Sequence, residues 1–345
     1  MRQALPDPDI DRKNARLSPE VRASLLADHR RVNIIGTSGW IGRTTAALLH
    51  EALGPEAFAD RVACFGSRAG RIDLDGLSIP QRPLTELAAQ DSRPTLVFNL
   101  AFLTMDKVGA MADAEYARAN QQLSETILAA LELIGADRVF VASSGAAAYA
   151  DEADAAPALR LYGKLKQDQE AAFSAWALAA PQVRRLVTAR IFSLSGPWIN
   201  KPDVYALADF ILAGLEGRPI EIRAPMRVWR SYVAVRELVS LVLAELLAAD
   251  GAPVTDFATG GEALELADVA AAVAQLTGGD MKRAAVTTCA DNRYVADDAA
   301  YQALLSRHGI THVPLSDQIA ETAAFLARTE TLIPQRSVAA AGDDE

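Results

Sequence analysis

Apolar runs of strand length alternate with helical stretches between residues 31 and 193, and this alternation restricts the fold more than any other feature. The runs are RVNIIG (31–36), RVACFG (61–66), TLVFNLA (95–101), RVFVASS (138–144) and LVTARIFS (186–193). Among them lie GRTTAALLHEALG, ARANQQLSETILAALELIG and YGKLKQDQEAAFSAWALAA, each with apolar residues at helical intervals. A strand that is apolar throughout is buried on both faces, and alternation with helices implies a parallel sheet covered on both sides. The expected fold class is α/β with a doubly wound parallel sheet over residues 31–193. After residue 194 proline and glycine become frequent (SGPWINKPD, EGRPIEIRAP) and the alternation is lost. A smaller second lobe is expected mainly over 194–330. Residues 1–30, polar and proline-containing, are expected to form an arm or short helix, and 331–345 a flexible tail. No repeat of solenoid length is present.

Composition excludes several function classes. A chain of 345 residues can build one large core or two communicating ones, and with 50% apolar residues it is expected to be globular. A net charge of −10 argues against a nucleic-acid partner, which calls for a basic face. No apolar run approaches membrane-spanning length, and the N-terminus lacks the apolar core of a signal peptide. Cys64 and Cys289 are far apart and match no metal-ligand spacing, so no metal is expected. A soluble, reducing, cytoplasmic setting is the expectation.

The stretch NIIGTSGWIG (33–42) places Gly36, Gly39 and Gly42 directly behind the first apolar run. Glycine loses more conformational freedom on folding than any other residue, so three at equal intervals need a reason. A strand, a glycine-rich turn and a helix form the context in which a dinucleotide is bound. Gly36 permits a tight turn, Gly39 lets a pyrophosphate approach the backbone, and Gly42 lets helix and strand pack closely. The pyrophosphate charge would then face the open N–H groups of the helix. A glycine-rich turn without a ligand satisfies the same spacing.

Further along, YGKLK sets Tyr162 and Lys166 four residues apart, on one face of a predicted helix. Free tyrosine has a pKa near ~10, too high for a base at neutral pH, and a neighbouring ammonium lowers it. Upstream, VFVASSGAAAY ends an apolar strand with Ser143 and Ser144, at the strand end where open α/β sheets bind ligands. Each feature alone has a plain reading: a surface pair, a turn.

Together, in order and rough distance, the glycine loop, the serine-ended strand and the Tyr-x-x-x-Lys pair resemble the extended short-chain dehydrogenase/reductase superfamily. Its NAD(P)-dependent epimerase/dehydratase members modify nucleotide sugars. LVFNLAF, YARANQQLSETILAA, TARIFSLSGPW, VWRSYVAVRELVSLVL and the closing YVADDAAYQALLSRHGI extend the resemblance over roughly residues 31 to 328. It implies a Rossmann-type sheet with a smaller C-terminal α/β substrate lobe. It implies Ser144, Tyr162, Lys166 and Asn120 as catalytic residues, with Lys166 also reaching the cofactor ribose. The cofactor would meet Gly36, Ser38, Gly39, Trp40, Ile41, Gly42, Ser67, Arg68, Leu100, Ala101, Tyr162 and Lys166. Ser143, Ser193 and Arg230 would face substrate, Arg230 contacting a nucleotide diphosphate or forming only a surface ion pair. A nucleotide-sugar partner and a homodimer are further implications.

Some positions depart from the family pattern. Asn99 stands where a histidine is usual, and Ser193 where an asparagine is common. Four residues separate Ser144 from Tyr149, one more than in typical relatives. Dehydratases carry an Asp–Glu pair after the serine or threonine. Here Gly145 and Ala146 stand there, and neither transfers a proton, which leaves epimerisation or simple hydride transfer. A catalytically idle cofactor-binding sensor or scaffold is the alternative. The second strand ends at Gly66, followed by Ser67, Arg68 and Arg71. NAD-preferring relatives end it with an acid that binds both ribose hydroxyls. The missing acid and nearby guanidinium groups point to NADP, with NAD possible.

Overall fold

The computed structural model describes residues 7–332. Two short helices come first, α1 (Ile10–Asn14) and α2 (Pro19–Ala27), the second capped by Ser18, whose hydroxyl accepts from Val21 N–H, and opened by Pro19. They are not a loose arm: Leu17, Val21 and Leu25 are buried in the main core. The chain continues through β1 (Arg31–Ile35), α3 (Trp40–Leu53), α4 (Pro55–Arg61), β2 (Val62–Gly66), β3 (Gly70–Leu74), β4 (Leu77–Pro83) and β5 (Thr95–Asn99). After these come α5 (Asp113–Leu133), β6 (Ala136–Ser144), α6 (Pro157–Leu178) and β7 (Arg185–Ile191).

The remaining elements are β8 (Ser193–Ser195), α7 (Ala206–Leu215), β9 (Ile220–Ile222), β10 (Val228–Arg230), β11 (Tyr232–Ala234), α8 (Val235–Leu247) and β12 (Val254–Ala258). Then follow β13 (Leu264–Glu265), α9 (Leu266–Thr277), β14 (Met281–Arg283), β15 (Asn292–Tyr294), α10 (Asp298–Arg307) and α11 (Leu315–Leu332). The expected tail thus begins inside α11 at 331–332, and from residue 333 it lies outside the described residues.

The central sheet has eight strands in the order β12-β7-β6-β5-β1-β2-β4-β3, parallel except for the β3–β4 pair. Its covering on both faces follows from side-chain alternation. Val32, Ile34, Phe98 and Phe140 point to the face packed by α3 and α8. Ile35, Val97, Val139 and Val141 point to the other face, against Ile127 and Leu131 of α5 and Phe173 and Trp176 of α6. Each fully buried Leu, Ile or Phe contributes about 1.5–3 kcal/mol. From β1 the chain builds outward through β2 on one side and through β5 on the other. The order therefore reverses between β1 and β5, and a crevice opens at their C-terminal ends.

The sheet also draws in part of the chain after residue 194. The sheet does not end at residue 193: β12 pairs with β7 in register from Val254↔Leu186 to Ala258↔Arg190, and α8 packs on the same sheet. Residues 235–258 therefore return to the first layer, while small sheets (β11–β8, β14–β9 and β13–β10–β15) build the lobe with α7, α9 and α11. After β2 a short loop, 67–69, leads into a hairpin. Asp75 (φ 53°) and Gly76 (φ 88°) form a two-residue turn joining β3 to β4, a geometry that Asp-Gly favours because both positions need positive φ.

Candidate active site

The glycine loop sits in the crevice at the end of β1. Gly36 has φ +90°, and a Cβ there would lie 3.0 Å from the Leu100 carbonyl carbon and 3.1 Å from Ala101 N. Leu100 and Ala101, just past β5, thus press their backbone on the loop. A Cβ on Gly42 would lie 2.5 Å from Gly36 O and 2.6 Å from Thr37 Cα, so helix and loop approach too closely for any other residue. Gly39 is the N-cap of α3, and its Cβ direction meets only an ordinary contact at 3.4 Å. The first N–H groups of α3, at Trp40 and Ile41, have no acceptor within the helix and face the crevice. This cradle fits a dinucleotide pyrophosphate. The Ser38 side chain is exposed beside it. The Trp40 ring turns away: its Nε1 donates to Pro197 O at 2.8 Å and it packs edge-on against Tyr205.

The candidate catalytic side chains gather at the end of β6. Ser144 closes that strand and opens a 3-10 turn, where its Oγ accepts from Ala146 N–H at 3.2 Å. On α6, Gly163 lets the helix abut this turn: a Cβ there would stand 2.2 Å from Ala146 O. Tyr162 is thereby packed in one buried cluster with Ala146, two residues beyond Ser144. A second phenol arrives from the lobe, with Tyr294 OH 3.4 Å from Ser144 Oγ. Tyr294 is packed by Tyr149 (centroids 5.8 Å apart) and Phe192 (4.7 Å), with the Arg230 guanidinium 5.7 Å from its ring centroid.

The electrostatics differ from the expectation for the Tyr–Lys pair. Burial pushes the Tyr162 phenol well above its ordinary value, and the neighbouring phenols Tyr116 and Tyr294 add to the rise. Lys166 does not reverse this. Its Nζ donates to Ala142 O (2.8 Å) and Gln169 Oε1 (3.2 Å) and lies 3.7 Å from the Phe102 ring centroid but 6.0 Å from that of Tyr162. Burial lowers Lys166 to about 7. The site thus holds a protonated phenol and a lysine poised near neutrality.

Other candidates are placed apart from this cluster. Ser143 is buried and donates to Glu170, whose carboxylate is held by Arg190 through Nε (2.9 Å) and Nη2 (2.7 Å). Asn120 accepts from Leu103 N–H at 2.8 Å and donates to Tyr116 O at 3.2 Å, which fixes the segment after β5. Asn99 is buried, with neither amide atom partnered among the described residues. Ser193 lies in β8 beside Tyr232. Arg230 donates to Asn292 Oδ1 at 3.0 Å and to Trp229 O at 2.7 Å, and it makes no ion pair among the described residues. Ser67 and Arg68 are exposed after β2, whereas Arg71 belongs to β3 and is spent on Ser78 (Nε to Oγ 2.6 Å, Nη2 to O 2.8 Å). Sequence reasoning missed Tyr294. Its placement comes from the long-range pairing Arg230↔Tyr294, which no local pattern announces.

Residues 32–258 match the family described as NAD dependent epimerase/dehydratase family. The chain belongs to that family. The epimerase/dehydratase fold is seen again in solved structures. One is MoeE5 in complex with UDP-glucose and NAD, 23% identical with a TM-score of 0.65, covering 87% of this chain and 99% of that one. Another is a DesIV double mutant, a dTDP-glucose 4,6-dehydratase from Streptomyces venezuelae with NAD and DAU bound (17%, 0.65, 88% and 98%). A third is the UDP-glucose 4-epimerase of Thermus thermophilus in complex with NAD (20%, 0.62, 86% and 99%). Likeness at these identities establishes the fold. None of the curated proteins compared matches the sequence. The two anchors of the family resemblance, the glycine cradle and the Ser144–Tyr162 pair, both fall within the matched residues. No described helix is long and apolar enough to cross a membrane.

Proposed function

We propose that this epimerase/dehydratase family enzyme moves hydride between a nicotinamide and a carbinol or carbonyl carbon of a nucleotide-linked sugar, as an epimerase or reductase. The observation that carries the reading is the grouping of Ser144, Tyr162 and Tyr294 where α6 abuts the end of β6, with Tyr294 OH 3.4 Å from Ser144 Oγ. Nucleotide sugars named with the structural neighbours support the substrate class.

The loop Gly36–Gly42 with Leu100 and Ala101 would hold the dinucleotide, and Ser67 and Arg68 its adenosine end. When bound, the nicotinamide supplies or accepts the hydride at the sugar carbon. Tyr162 moves the matching proton. Burial keeps it in the protonated form that can donate: as a carbonyl gains hydride, the phenol O–H bond breaks and the proton passes to the substrate oxygen, giving an alcohol. Ser144 hydrogen-bonds that oxygen while its charge develops. In the reverse direction Tyr162 must become a phenolate, and the protonated form of Lys166 supplies the compensating charge. Gly145 and Ala146, buried beside Ser144, offer no acid or base for removal of water. The lobe of residues 194–330, apart from α8 and β12, would receive the nucleotide, with Arg230 towards its diphosphate and Ser193 near the sugar.

The test is turnover of nucleotide sugars with NADPH or NADH by the purified chain. Tyr162→Phe should lower kcat by about 10²–10⁴-fold, with dinucleotide affinity unchanged. Equal turnover by this variant overturns the assignment.

A further inference from the structure

The end of β2 carries an unusual packing arrangement. Gly66 is buried, and a Cβ built there would lie 2.4 Å from Nε2, 2.5 Å from Cδ and 2.6 Å from Oε1 of Gln81. Gln81 stands on β4, the parallel neighbour, in register with Cys64. Its amide therefore fills the space into which a strand-end side chain at position 66 would project. Its Nε2 donates to Arg68 O at 3.0 Å, which uses one of two N–H bonds and fixes the loop after β2. Its Oε1 has no partner among the described residues. Two arginines stand on the neighbouring segments. Arg68 is exposed on the loop that Gln81 holds. Arg43, the residue after the last loop glycine, bridges the glycine loop and the hairpin through Ser38 O (3.2 Å) and Asp73 O (3.3 Å). The nearest carboxylate of the hairpin, Asp73, is turned to its tip, where it accepts from Gly76 N–H.

We infer that Gln81 stands in for the absent strand-end acid and, with Arg43 and Arg68, selects a dinucleotide phosphorylated at the adenosine 2′ position. An acid at this place accepts from both ribose hydroxyls and repels a phosphate. A neutral amide carries no such repulsion. Its remaining N–H donates to a phosphate oxygen, and the guanidinium groups supply charge-assisted bonds. The inference rests on the dinucleotide site proposed above and adds the residue that sets its preference. It also accounts for Gly66: any larger residue would displace Gln81.

The experiment measures Kd for NADPH and NADH by nucleotide fluorescence on the whole chain, without sugar. The wild-type chain should bind NADPH tighter by about fivefold or more. Gln81→Glu restores the acid from the neighbouring strand and should weaken NADPH by about tenfold without weakening NADH. Gln81→Leu, which keeps bulk and loses the amide, should bring the two constants together at an unchanged melting temperature. Tighter NADH binding by the wild-type chain, or an unchanged NADPH preference in Gln81→Glu, overturns the inference. Binding of neither dinucleotide overturns it together with the proposed function. Absent sugar turnover with the predicted Kd ratios overturns the proposed function alone.

Discussion

Ser143 and Ser144 are consecutive residues whose hydroxyls serve separate networks. Ser143 donates to Glu170, which also accepts from Arg190, while Ser144 accepts from Ala146 N–H and meets the Tyr294 phenol. The period-two alternation of a strand produces the division, since neighbours along β6 point to opposite faces.

The two serines should therefore respond differently to alanine. Ser144→Ala removes the hydroxyl next to the reacting oxygen and is expected to lower kcat by about 10²-fold, with little change in melting temperature. Ser143→Ala should leave kcat within about twofold and cost about 1 kcal/mol of stability, one buried hydrogen bond. Initial rates and urea unfolding of both variants check the pair. A larger kcat loss in Ser143→Ala would reverse the roles.

Tyr294→Phe keeps the ring between Tyr149 and Phe192 and deletes only the hydroxyl at 3.4 Å from Ser144. A loss of about tenfold in kcat/KM is expected, smaller than that for Tyr162→Phe because the Tyr162 phenol stays in place. Steady-state kinetics on the two single variants and the double variant measure this, and the double variant should lose less than the product of the singles.

Lys166 gives the fold a pH dependence of known sign. Its pKa is lowered from an ordinary 10.5 to about 7 in the folded chain. Between these values the unfolded chain binds more protons than the folded one, so stability rises with pH across this window and the group disfavours folding below it. Urea unfolding at pH 7 and pH 9 should show this rise in the wild-type chain. In Lys166→Met it should shrink, with NADPH and NADH binding weakened at both pH values. A slope unchanged by the substitution would show that Lys166 is not the titrating group.

The sequence discloses what is written locally. RVNIIG followed by glycines becomes β1 and the α3 cradle because every determinant lies within one strand–turn–helix unit. Tyr162 and Lys166 share a helix face through their spacing alone. The Asp75–Gly76 hairpin was equally legible, since Ile72, Leu74, Leu77 and Ile79 alternate around an Asp-Gly turn. The buried Leu17, Val21 and Leu25 were masked by the polar residues around them. Gln81 and Tyr294 were not legible, because pairing with strands distant in sequence places them. Nor was the depressed Lys166, whose burial depends on how Phe102 folds over it.

The contact between α1 and α11 affects how the protein is made. Asp11 is joined to Arg328 and Asn14 to Glu321 across 317 and 307 positions of chain. Glu321 also holds Arg236 of α8, so the sheet layer, the first helix and the last described helix share one carboxylate. During synthesis the first helix emerges 317 positions ahead of its partner Arg328. Until then the leading segment has no seat, and the nascent sheet lacks part of its covering. A polypeptide released early would lack α11 to hold Asp11, Asn14 and Arg236, whichever of its catalytic residues had already been translated.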